Sequence, residues 1–93
     1  MPDERADRLA EAEQREEQLR RALRELVTEQ RRALAEQGRY EQRARLPGAD
    51  PRVGEAARAE GQRAAELTAA VDAARAELRA QEGLVARLRT ERG

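Results

Sequence analysis

The sequence contains no cysteine, histidine, lysine, serine or asparagine. Without cysteine there are neither disulfides nor thiolate metal sites. The same gaps remove the usual nucleophiles, the commonest general base and the amine needed for Schiff-base chemistry. Carboxylates remain, and pairs such as Glu13 and Glu17 share a helical face, but a chain this acidic places such pairs by chance. Carboxylate metal sites in helical bundles normally add a histidine. No P-loop or dinucleotide fingerprint is present either. The expectation is a protein that is not an enzyme and uses no metal or cofactor.

Strand-formers are also scarce. There is no isoleucine, phenylalanine or tryptophan and a single tyrosine, which disfavours a sheet. No apolar run approaches the ~20 residues that span a bilayer. The opening residues Met1 to Arg5 are polar and lack the apolar stretch of a signal peptide. A cytoplasmic protein without membrane contact is expected. Met1 and the complete turn and return described below suit a whole hairpin better than one arm of a longer protein.

What is present is mostly Ala, Glu, Leu and Arg, the composition of a long helix or coiled coil. Charged residues make up 41% of the 93 residues and hydrophobic ones 39%, and over half of the hydrophobic set is alanine. So small an apolar inventory cannot fill a thick globular core, but it can line a seam between two helices. High charge with few aromatics also suits disorder. A net charge of zero and a sustained helical period argue against it.

The period breaks once, at Leu46-Pro47-Gly48-Ala49-Asp50-Pro51. Pro47 disfavours helix at Leu46, and Gly48 can take the positive φ that ends a helix. Asp50 suits an N-cap, and Pro51 suits the first helical position, where its missing N–H would have no partner anyway. The prediction is a helix over about 3–45, a turn over 46–50 and a second helix over about 51–92, together a single hairpin. So short a connection favours antiparallel neighbours. Gly54, Gly61 and Gly83 interrupt the second helix, each costing ~1 kcal/mol against alanine, so its start is its weakest stretch.

Apolar positions recur at alternating spacings of three and four. In the first half they are Leu9, Ala12, Leu19, Leu23, Leu26, Ala33, Tyr40 and Ala44, interrupted by Glu16, Gln30 and Gln37. In the second they are Val53, Ala57, Ala64, Leu67, Val71, Ala74, Leu78, Val85 and Leu88, interrupted by Glu60 and Gln81. Opposed residues in an antiparallel hairpin have numbers with a constant sum. With a sum of about 97 every seam position meets another seam position. Leu9 then faces Leu88, Ala12 faces Val85, Leu19 faces Leu78 and Tyr40 faces Ala57, while Glu16 faces Gln81 and Gln37 faces Glu60. The polar layers suit a role in setting register. Acid-before-base pairs four apart (Glu4–Arg8, Glu11–Arg15, Glu16–Arg20, Glu17–Arg21 and Glu41–Arg45) each add ~0.3 kcal/mol. The fold expected is all-α, a two-helix antiparallel coiled-coil hairpin, with dimerisation into a four-helix bundle as an extension.

Val27, Leu34 and Leu84 fall beside the seam and widen the apolar stripe beyond what two helices cover. These are the expected protein-binding residues, and a second copy or another helical protein is the expected partner. The leading function is therefore a structural, scaffold or adaptor coiled coil, a homo-oligomer in its simplest form. A hairpin of this kind resembles, in general form alone, the small helical-hairpin chaperones and stalk proteins of flagellar and type III export. That resemblance implies an alternative role in a secretion or assembly system. A third alternative is an Arg-mediated nucleic-acid or ribosome binder. All 19 basic residues are arginine, but they are interleaved with 19 acids. Phosphate binding draws on uncompensated positive charge. The local excesses are Arg39, Arg43 and Arg45, and Arg87, Arg89 and Arg92, so nucleic acid is disfavoured as a partner.

Overall fold

The computed structural model describes residues 3–92, without the side chain of Arg92. It is an all-helical antiparallel hairpin of α1 (Glu4–Ala44) and α2 (Pro51–Arg92). Among the described residues there is no strand, and no helix is long and apolar enough to cross a membrane.

Capping sets both starts. The Asp3 carboxylate accepts the Arg5 backbone N–H at 3.0 Å, and its carbonyl accepts that of Asp7 at 3.0 Å. At the second start Asp50 accepts the Arg52 N–H at 2.9 Å, with Pro51 in the first helical position. Each aspartate satisfies a donor that the first helical turn leaves open. Between the helices, the Ala49 N–H bonds the Leu46 carbonyl at 3.2 Å and Gly48 has φ +73°. A proline followed by a positive-φ glycine inside such a bond is the signature of a type II turn.

The helices group into two compact units, Met1–Arg24 with Asp72–Gly93 (the terminal unit) and Glu25–Val71 (the turn unit). Every buried side chain in both lies on the expected seam. In the terminal unit these are Leu9, Ala12, Glu16, Leu19 and Val85. In the turn unit they are Ala33, Ala57, Ala64 and Val71. Ala44, the last seam position of α1, is exposed where that helix ends.

Each unit reports its own register. In the terminal unit Leu9, Ala12 and Val85 form one cluster, with Leu84 and Leu88 packed against it. Arg15 reaches Glu77 at 2.9 Å and Glu13 reaches Arg89 at 3.7 Å. These pairs lie five short of and five beyond the expected sum, as flanking positions on either side of one seam should. In the turn unit the Gln30 amide donates to the Thr68 hydroxyl at 2.9 Å, one beyond that sum.

Glycine does not break α2. A Cβ built on Gly61 would stand 2.9 Å from the Gln37 amide nitrogen. The missing side chain is therefore the space that Gln37 occupies. Gly38 and Gly83 have nothing within 4 Å of such a Cβ. At those two sites glycine carries its helix cost with no packing return.

Candidate protein-docking faces

The three residues expected to bind protein do not share one unit. Val27 and Leu34 belong to the turn unit and Leu84 to the terminal unit. Val27 is half-buried, and Leu34, about two turns further along α1, is 49% exposed. The residues that the expected register sets across from them, Thr68 and Gly61, are small. Thr68 turns its hydroxyl to the Ala64 carbonyl at 2.9 Å, and Gly61 has no side chain to offer. The result is an uncovered leucine beside a closed seam.

Leu84 has a different setting. It leans onto the Leu9, Ala12 and Val85 cluster and is half-buried there. Its outer side, with Leu88 and Ala12, lines a groove of about 360 Å³. Arg8, Glu11 and Arg15 stand along the α1 rim, and Gln81 completes the lining. Leu84 and Leu88 are four residues apart on α2, hence stacked on one face. The heptad spacing places Leu88 on the seam. Its spacing from Leu84 was the available signal that both would border a groove.

The turn unit has a groove of similar size, about 330 Å³, lined by Glu29, Arg32, Ala33, Glu36, Glu60 and Arg63. Only Ala33 is apolar there, so it offers little dry surface. A further exposed leucine, Leu46 at 62%, stands in the turn itself. Sequence reading gave it only a turn role, because a residue before proline is identified by its backbone.

The polar layers resolve locally. Buried Glu16 pairs with Arg20, one turn along its own helix, and Arg20 also approaches Glu82 at 3.6 Å. Gln81 does not bond Glu16. It donates across the seam to the Ala12 carbonyl at 3.0 Å. Gln37 likewise turns to Glu41 at 3.1 Å rather than to Glu60. No buried side-chain nitrogen or oxygen among the described residues is left without a partner. Arg15, expected to pair with Glu11, bonds Glu77 instead, and Glu17, expected to pair with Arg21, approaches Arg24 at 3.8 Å.

Three arginines near the turn are engaged as well. Arg39 pairs with Glu36, and the Arg43 guanidinium lies 5.7 Å from the Tyr40 ring centroid, within cation–π range. Arg52 pairs with Asp50 at 2.7 Å. That contact lowers the Asp50 pKa from its ordinary value and raises that of Arg52. Among the described residues no group of three acidic side chains is placed to hold a metal ion. Comparison with protein-family models, curated proteins and solved structures finds no match to this chain.

Proposed function

We propose that this chain is a non-enzymatic protein-interaction module, a structural, scaffold or adaptor coiled coil that docks a second copy or another helical protein in the cytoplasm. The observation that carries the reading is Leu34, 49% exposed beside half-buried Val27. A large apolar side chain next to a heptad seam is where an added helix gains most from excluding water. The interleaving of the 19 arginines with 19 acids, with pairs such as Arg15–Glu77, Arg20–Glu16 and Arg39–Glu36, favours protein over nucleic acid as the partner. Phosphate affinity needs cations free to displace counterions.

A photo-crosslinking residue at position 34, in the full chain expressed in its native cell, tests this. Discrete adducts to protein are expected from position 34 and not from exposed Gln18. Failure to obtain an adduct from position 34 removes Leu34 as a docking face and with it the observation that carries the reading.

A further inference from the structure

The docking reading leaves the partner open, and the terminal unit narrows it. The groove beside Leu84 has an apolar floor of Ala12, Leu84 and Leu88. Of the charged groups on its rim, Arg15 is already held by Glu77. Arg8 and Glu11 remain. They are exposed, opposite in sign and three residues apart on α1, and neither has an ion-pair partner among the described residues.

A partner bearing one sign of charge would satisfy one of these groups and repel the other. A surface carrying one of each is complementary to itself. In a two-fold contact residue i of one copy meets j of the other, and j meets i. We propose that this groove pairs with the same groove of a second copy. Leu84 and Leu88 lie at the centre, Arg8 meets Glu11 of the second copy, and Glu11 meets its Arg8. The inference rests on the reading of the chain as a protein-docking module and names a second copy as the occupant of this groove, a face in a different unit from Leu34. The similarly sized groove of the turn unit has a charged lining and lacks an apolar centre for such pairing.

The test is a charge swap followed through sedimentation equilibrium of the full chain at low ionic strength. Arg8→Glu sets like charges against Glu11 of the second copy, Glu11→Arg sets them against Arg8, and the double variant restores opposite pairs. Both positions are exposed, so the fold should survive, and far-ultraviolet circular dichroism checks that it does. The wild-type chain is expected to dimerise reversibly at micromolar concentration. Each single swap should raise the dimer dissociation constant about tenfold, and the double swap should return it to within about twofold.

A strictly monomeric wild-type chain at high micromolar concentration overturns the proposal. So do single swaps without effect, or a double swap no better than the singles. A dimer indifferent to the swaps but dissociated by Leu34→Glu overturns this pairing while upholding docking through the turn unit. Crosslinking at position 34 fails or succeeds independently of the swaps.

Discussion

In the terminal unit the buried seam includes Leu9, Leu19 and Val85, and ion pairs Arg15–Glu77, Arg20–Glu82 and Glu13–Arg89 bridge the helices. In the turn unit the buried seam is Ala33, Ala57, Ala64 and Val71. There Gln30–Thr68 bridges the helices, while Glu36–Arg39 and Asp50–Arg52 are local pairs. One heptad pattern thus closes in two ways. Chain connectivity supplies the physical reason. Residues near a short turn are held close by the covalent link, whereas the entropic cost of bringing segments together rises with the loop between them. Small side chains suffice beside the turn. Far from it, larger apolar groups and charge pairs must hold the helices.

The largest expected effect tests that division of labour. Leu19→Ala, at a buried site in the terminal unit, should cost about 3 kcal/mol. Leu26→Ala, at a half-buried site in the turn unit, should cost about half as much. Urea unfolding followed by circular dichroism measures both, and equal losses would break the comparison.

Next come the glycines, where the units should behave alike because helix propensity is local. Gly83→Ala in the terminal unit and Gly38→Ala in the turn unit should each stabilise by about 1 kcal/mol, since no atom obstructs the added carbon. Gly61→Ala should gain less, because its Cβ displaces the Gln37 amide. Thermal melts of the three variants give the order.

The bridging ion pairs rank lower. Arg15 and Glu77 are each more than half exposed, so a double-mutant cycle should return only about 0.5 kcal/mol, falling as salt is added. A coupling that salt leaves unchanged would contradict a screened surface pair.

The smallest effect concerns the turn. The Asp50 pKa is lowered chiefly by the Arg52 side chain, with help from the Arg52 backbone N–H. A carboxylate with a lowered folded pKa contributes stability above its unfolded pKa, and that contribution fades as pH falls through the folded value. Asp50→Ala should therefore lower the melting temperature slightly at neutral pH and by less in strong acid, where the ion pair is gone and only the capping acceptor is lost. Carboxyl-carbon NMR titration would show the Asp50 midpoint below that of an ordinary aspartate.

These variants also mark how far the fold could be read from sequence. The reversal was legible because Pro47, Gly48, Asp50 and Pro51 each have a narrow backbone role. The seam was legible because its spacing is set by helix geometry, and among the described residues no buried one lies off it. Hydrogen-bond partners were less so. Gln81 finds the Ala12 carbonyl and Glu16 finds Arg20, choices made by rotamers of long side chains with several reachable partners. Among the candidate docking residues, the exposure of Leu34 follows from small neighbours visible in the sequence. The lean of Leu84 onto the Leu9 cluster depends on side-chain direction, which spacing does not encode.

The most direct measurement is a nuclear Overhauser spectrum of the methyl-labelled wild-type chain, diluted into unlabelled chain so that only intramolecular contacts appear. Cross-peaks are expected between Ala12 and Val85, and between Val85 and Leu9. Their absence in a folded helical sample, or the pairing of Ala12 with a residue one heptad away from Val85, would contradict the antiparallel register of the terminal unit, on which the Leu84 groove depends.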